Sequence, residues 1–267
     1  REFFRLMYAM QLRPGSNEGE ILLYGEIIQD MPEAWKWSKE DKSAADFDKA
    51  VKALQKEGAT RLLLRINSPG GIVSEAVAMR SILVNAGFEK IRIRIEGICA
   101  SAATIPATLP GARVSITPGS DYMLHNPWTR ARGNANEIEA VVRYLRTQES
   151  AMRALYAAKC GQSDEQLKDW MDAETWFSAE EAVKYGFCDG VVDEEIGDNA
   201  EPLVACVSPR AASVMRSLYN TVPDRYKQQE EQPIVSNAPG ASLTEPSENK
   251  QSKEEPQMPD IKDITRE

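Results

Sequence analysis

The sequence predicts an α/β fold of stacked βαβ units around a largely parallel sheet. Short apolar runs such as Arg61-Leu-Leu-Leu-Arg-Ile66 and Ile91-Arg-Ile-Arg-Ile-Glu96 alternate along the chain with segments of helical periodicity. Glycines and helix-starting residues punctuate these segments where one element gives way to the next. Strands joined through helices in this way lie parallel and need right-handed crossovers. At 267 residues, 42% of them hydrophobic and 27% charged, the chain has the length and composition of an ordinary globular core.

Taken in order, residues 1–20 are mixed and turn-rich (Pro14-Gly15-Ser16-Asn17) and read as an N-terminal arm. Ile21-Leu-Leu-Tyr-Gly-Glu-Ile27 is a strand interrupted by Gly25. The polar stretch from Met31 to Asp41 is a surface loop whose Trp35 and Trp37 either cap a hydrophobic patch or cover the edge of the core. Ser43-Ala-Ala-Asp46 is a capping box with Asp in place of Glu, opening a helix with Phe47, Val51 and Leu54 on one face and Gly58 as its stop. Arg61 to Ile66 reads as a strand buried on both faces. It runs into Asn67-Ser-Pro-Gly-Gly71, after which Val73 to Ala86 is helical.

The strand from Ile91 passes through Gly97 into Ile-Cys-Ala-Ser-Ala-Ala103, a serine among small residues. Pro106 kinks or delays the helix that follows, and Pro110 closes it early. Val114–Thr117 and Tyr122–His125 are two more short strands around Pro118-Gly119. From Glu137 to about Lys159 an apolar stripe (Ile138, Val141, Val142, Leu145, Met152, Leu155, Tyr156) marks a helix of roughly 35 Å, longer than one core needs. A shorter helix starts at Gly161-Gln-Ser-Asp164, and Ser178-Ala-Glu-Glu181 is a capping box for a last one ending at Gly186. The domain is thus expected over 21–207. Residues 208–267 hold nearly half of the 15 prolines among Gln, Glu, Ser and Lys, a composition that leaves the tail largely disordered, above all from about 228 onward.

The net charge of −9, with no basic cluster, excludes a nucleic-acid-binding surface. No window is apolar enough to span a bilayer, and the start at Arg1-Glu-Phe-Phe-Arg-Leu-Met7 is too short in apolar residues for a signal peptide. Cys99, Cys160, Cys188 and Cys206 have neither metal-ligand spacing nor a disulfide framework, which suits reduced thiols in a cytoplasmic compartment. Cys99, two residues from Ser101, is a weaker candidate nucleophile. No metal or cofactor is expected.

Three features suggest chemistry. Ser101 ends a strand where a turn can present its hydroxyl beside backbone N–H groups. His125, the single histidine, ends another strand and is the usual base for a serine nucleophile. Gly70 and Gly71 stand at the end of a parallel strand, where a backbone can approach a ligand closely. Each alone is equally compatible with tight packing.

In order and spacing, Ile66-Asn-Ser-Pro-Gly-Gly71, Gly97-x-x-Ala-Ser101, Met123-Leu-His125-Asn-Pro127 and Phe177-Ser-Ala-Glu-Glu-Ala182 with Gly186 and Asp189 resemble the Clp protease proteolytic subunit family over residues 21 to about 193. Glu174-Thr-Trp-Phe-Ser-Ala-Glu-Glu-Ala182 and Tyr24-Gly-Glu-Ile27 resemble its branch in tailed phages, the head maturation (prohead) proteases. The resemblance implies a Clp/crotonase-like fold and a serine endopeptidase with Ser101 as nucleophile and His125 as base. It implies an oxyanion hole from the N–H groups of Gly70, Gly71 and Ala102. Where the family has an aspartate, register places Glu174, with Asp172 in reserve. It further implies a homo-oligomeric ring contacted through the 137–159 helix. The substrates would be scaffold and capsid proteins, met in the host cytoplasm inside an assembling prohead. Rival expectations are a housekeeping subunit partnered by an ATPase unfoldase, a Ser–Lys peptidase, a catalytically silent ring member, and a crotonase-like acyl-CoA enzyme without a nucleophilic serine.

Overall fold

The computed structural model describes residues 10–12, 16–36, 38, 40–192 and 209–227. Two compact units divide the chain, Arg1–Glu231 and Gln232–Glu267, and every described residue belongs to the first. Its sheet contains β1 (Met10–Leu12), β2 (Glu18–Tyr24), β3 (Arg61–Ser68), β4 (Lys90–Ala100), β5 (Arg113–Ile116), β6 (Asp121–Leu124), β7 (Thr175–Phe177) and β8 (Gly190–Val191). The order is β1-β2-β3-β4-β5-β8, with β6 paired to β4 and β7 to β6. From β2 to β5 and on to β8 the pairs are parallel, and β1 and β7 are antiparallel additions. The expected α/β fold is therefore observed.

Helices α1 (Ala44–Lys56), α2 (Val73–Asn85), α3 (Thr104–Ala107), α4 (Ala135–Cys160), α5 (Asp164–Asp172) and α6 (Ala179–Lys184) lie between the strands in sequence, and α7 (Pro209–Leu218) and α8 (Asp224–Lys227) follow the sheet. The capping boxes read at Ser43 and Ser178 are both formed, and Asn134 with Glu137 makes a third at the start of α4. Such caps satisfy N–H groups that a helix start otherwise leaves without partners. Ile21, Leu23, Leu62, Leu64, Ile66, Ile93 and Ile95 form the core with Phe47, Val51 and Leu54 of α1 and Met79 and Leu83 of α2.

The expected burial of β3 on both faces holds through Leu62, Leu63 and Leu64 and is partial at Arg65. Leu63 is buried on its second face, but Arg65 there pairs with Glu20 at 2.8 Å and Glu96 at 2.6 Å, and Arg92 with Glu18 at 2.6 Å. Alternate residues on β2, β3 and β4 share this face, and the ion pairs run diagonally across the ladder, Arg65 standing opposite Leu22 and Arg94 rather than opposite either glutamate. Trp35, expected to cover the core edge, is exposed, and Trp37 lies outside the described residues. Pro106 has the expected effect: a 3-10 turn at Ser101–Ala103 precedes α3, which is only four residues long. Residues 209–227, placed by composition in the polar tail, form two helices packed on the sheet, and 228–267 lie outside the described residues.

Two features of the sheet position the site. β4 pairs in succession with two strands, Arg92–Ile95 with β5 and Ile98–Ala100 with β6, and the change falls at Gly97, whose φ is +101°. Beyond β3, Gly71 forms an isolated parallel bridge to Ile27, and a Cβ there would sit 2.0 Å from the Ile27 carbonyl oxygen. Gly58 also has a positive φ, +93°, but open space around its Cα. Gly58→Ala is therefore expected to cost only the left-handed backbone term, about 1–2 kcal/mol. Gly71→Ala must displace Ile27 as well and is expected to cost on the order of 3 kcal/mol or more. Urea unfolding of the two variants checks the ranking, which fails if Gly58→Ala is the more damaging.

Candidate active site

Ser101 is built from β4 upward. The strand ends at Ala100, and the next residue turns into the 3-10 helix with φ +54°, a conformation that costs a non-glycine residue roughly 1–3 kcal/mol. Contacts on both sides hold it there. The Thr104 hydroxyl donates to the Ser101 carbonyl at 2.5 Å and shares a 2.7 Å hydrogen bond with the Tyr156 hydroxyl of α4. Ala100, Ala102 and Ala103 are fully buried, and Gly70 packs so closely that a Cβ on it would lie 2.9 Å from Ser101 Cβ. The small residues read in the sequence as packing thus also let the β3 turn reach the serine.

His125 arrives by strand register. β6 pairs with the second half of β4, Cys99 opposite Tyr122 and Ala100 opposite Met123, so the residue after β6 lies beside the residue after β4. Ser101 Oγ and His125 Nε2 are 2.6 Å apart. The imidazole is buried, and that burial lowers its pKa from 6.5 to about 4, the charge of Glu174 acting in the opposite direction. Neutral His125 can accept a proton from Ser101 across that distance.

Glu174 precedes β7, which pairs antiparallel with β6, Thr175 opposite Leu124, and so it is delivered to the far side of the imidazole. Glu174 Oε1 is 3.9 Å from His125 Nδ1, beyond hydrogen-bond length. Its φ is +49°, the only left-handed non-glycine besides Ser101 among the described residues. Its carboxylate instead accepts hydrogen bonds from the Asn220 N–H at 2.8 Å and the Thr221 N–H at 3.2 Å. Asp172, the reserve carboxylate, is exposed and bonded to Asn126 at 2.7 Å and Lys168 at 2.5 Å, not to the imidazole.

The glycine turn divides its donors. The Gly70 N–H, expected to face an oxyanion, donates to Ser68 Oγ at 3.1 Å. Because Gly71 pairs with Ile27 through the flanking Gly70 carbonyl and Ile72 N–H, its own N–H points away from that bridge and has no acceptor among the described residues. Ala102 lies in the first turn of the 3-10 helix, where N–H groups lack intrahelical acceptors, and its nitrogen would be 3.0 Å from a Gly70 Cβ. Of the three N–H groups expected at an oxyanion, that of Gly70 is thus already engaged by Ser68. Cys99 is fully buried, its thiol pushed well up by desolvation and donating to the Ala103 carbonyl, an environment unsuited to a thiolate nucleophile.

The sequence reading passed over Tyr219. Its ring stands edge-on to His125 at 5.0 Å between centroids, and its hydroxyl donates to the Pro69 carbonyl. A signal was present: Met215, Tyr219, Val222 and Tyr226 recur at helical intervals, and all four are buried. The polar, proline-rich surroundings obscured it.

One histidine makes the site directly observable. The imidazole resonances of His125, unique in the spectrum, are expected to titrate near pH 4, and Glu174→Gln is expected to lower that midpoint further by removing the charge that opposes it. Because the folded pKa lies below the unfolded one, the unfolded chain binds more protons between about pH 4 and 6.5. Stability is present above that window and falls through it as the pH is lowered. A midpoint at or above 6.5 would contradict this environment.

The geometry can be set beside known proteins. The Clp protease family model matches residues 23–195. An ATP-dependent Clp protease proteolytic subunit of Ligilactobacillus salivarius (strain UCC118) is 28% identical over 176 residues, 64% of this chain and 82% of the relative. The chloroplastic proteolytic subunit 4 of Arabidopsis thaliana is 33% identical over 151 residues, 55% of this chain and 50% of that relative. A solved ClpP1 mutant from Listeria monocytogenes is similar in fold, with a TM-score of 0.54 and 25% identity over 66% of this chain and 92% of that one. With more than half of its length matched by one family model and the sheet arranged as in a solved member, this chain belongs to the Clp protease family.

Proposed function

We propose that the chain is a serine endopeptidase acting through Ser101, His125 and Glu174. The observation that carries this reading is the 2.6 Å approach of a buried neutral imidazole to a serine held in a left-handed turn. Ser101 Oγ attacks the scissile carbonyl carbon as His125 Nε2 takes its proton. The negative charge developing on the carbonyl oxygen is met by the N–H groups of Gly71 and Ala102, a contribution on the order of 100- to 1000-fold in rate per donor. The imidazolium returns the proton to the leaving amine, and water, activated by the same imidazole, hydrolyses the acyl-serine. Glu174 stabilises the imidazolium and fixes its tautomer once it closes on Nδ1.

The substrates proposed are scaffold and capsid proteins of a phage head. The support is the resemblance of Tyr24-Gly-Glu-Ile27 and Glu174–Ala182 to that branch. A housekeeping role with an ATPase unfoldase is the second reading, favoured by the names of the two relatives. Ring assembly is supported by α4. Its 26 residues span about 39 Å, its buried residues all fall in the C-terminal half, and Val142 and Tyr144 are exposed on the remainder.

Reaction with a fluorophosphonate followed by peptide mass spectrometry tests the proposal. One adduct is expected, on Ser101. Ser101→Ala should abolish it, and His125→Ala should slow it on the order of 100- to 10,000-fold. No adduct on Ser101 would exclude the nucleophile. Cleavage of scaffold protein without an unfoldase favours the phage reading, and strict dependence on an unfoldase and ATP favours the other.

A further inference from the structure

The second apolar cluster of the molecule is made by the C-terminal segment and the catalytic face together. Ile98, Ala100 and Met123, at the ends of β4 and β6, receive Met215, Tyr219, Val222 and Tyr226, with Trp176 of β7 packed beside them. Tyr219 reaches furthest, with its hydroxyl on Pro69 and its ring against His125. The next two residues take the Glu174 carboxylate through two backbone N–H groups, and Asn220 Nδ2 adds a contact at 3.2 Å. Arg216 donates to the Tyr226 carbonyl at 2.6 Å, tying the two short helices into one unit, and the Tyr226 hydroxyl bonds to Asp121.

We propose that residues 209–227 are an intramolecular inhibitor, a strap that closes the substrate cleft with the Tyr219 ring and draws Glu174 away from the imidazole. Two independent parts of the site are affected. The Tyr219 ring occupies space against His125 and Pro69 that a scissile peptide needs, and the carboxylate that should orient His125 is satisfied by strap N–H groups while it stands 3.9 Å from Nδ1. A carboxylate already accepting two charge-assisted bonds has less to gain from approaching the imidazole. Release reverses both effects at once, opening the cleft and freeing Glu174. The cluster holding the strap is separate from the main core, so the strap can leave without dismantling the sheet. The inference rests on Ser101 being the nucleophile.

The test compares the full chain with a full-length Tyr219→Ala/Tyr226→Ala variant. Circular dichroism and the His125 resonance first establish that the main core is intact. Fluorophosphonate labelling of Ser101 is expected to be about ten-fold faster or more in the variant, the gain for a site that is open a tenth of the time or less. A fluorescent peptide of residues 209–227 should bind the variant saturably and the parent chain not at all. Labelling that is unchanged or slower in a folded variant, or peptide binding that is equal in both, overturns the strap. If the double variant does not fold, Asn220→Pro/Thr221→Pro, which removes the two N–H donors to Glu174, takes its place with the same expected outcomes. If neither protein labels at Ser101, the nucleophile is wrong. The strap then stands or falls on the peptide alone, binding only the variant in one case and both proteins equally in the other.

Discussion

The pairing of β4 with two strands in succession is the constraint on which the site depends. A parallel strand flanked throughout by β5 would deliver Ser101 to a sheet edge with no base beside it. Because β4 turns at Gly97, its last three residues acquire β6 as a new neighbour, and the register Ala100 opposite Met123 fixes Ser101 next to His125. The turn is itself well supported. The Gly97 N–H donates to Ser120 Oγ at 2.7 Å, the Ile98 N–H to Asn67 Oδ1 at 3.2 Å, and a Cβ at Gly97 would come within 2.8 Å of that same amide oxygen. One glycine and two polar side chains convert a regular ladder into one that brings Ser101 and His125 within 2.6 Å of each other.

Backbone strain is concentrated where the chemistry is expected. The two non-glycine residues with positive φ among the described residues are the serine and the glutamate of the site. Strain of this kind persists only where its surroundings over-determine it. At Ser101 the surroundings are Gly70, Thr104 and Tyr156, and the last of these ties the nucleophile to the base of the long helix. At Glu174 they are β7 pairing and the strap, whose Thr221 hydroxyl donates to the Glu174 carbonyl at 2.9 Å.

Much of this was legible in the sequence because the governing physics is local. Strand and helix periods, three-residue capping boxes, glycines in turns and a proline five residues after Ser101 each act within a few positions, and each has its counterpart in the structure. What escaped depends on partners far apart in the chain. The ion pairs behind β3 join Glu20, Arg65 and Glu96, which no window spans. The bridge from Gly71 to Ile27 and the Gly70 N–H bond to Ser68 are likewise not announced by the turn sequence. The strap escaped for a different reason. Composition averages over its length, whereas burial depends on four apolar side chains that find a face made by β4, β6 and β7.

That face also bears on the proposed role of Glu174. A glutamate carries one methylene more than aspartate and so has the reach to turn between two sets of donors. Here the donors are the strap amides and the imidazole N–H. The two arrangements exchange hydrogen bonds of similar kind, so the difference between them is small compared with the energy of either, and small differences are what a displaceable segment can tip. An isolated surface carboxylate would be held in neither place, since exposed pairs of that sort contribute little. Glu174 is partly buried and bound by the N–H groups of Asn220 and Thr221, and under the proposed strap the loss of those donors would both open the cleft and free the carboxylate for the imidazole.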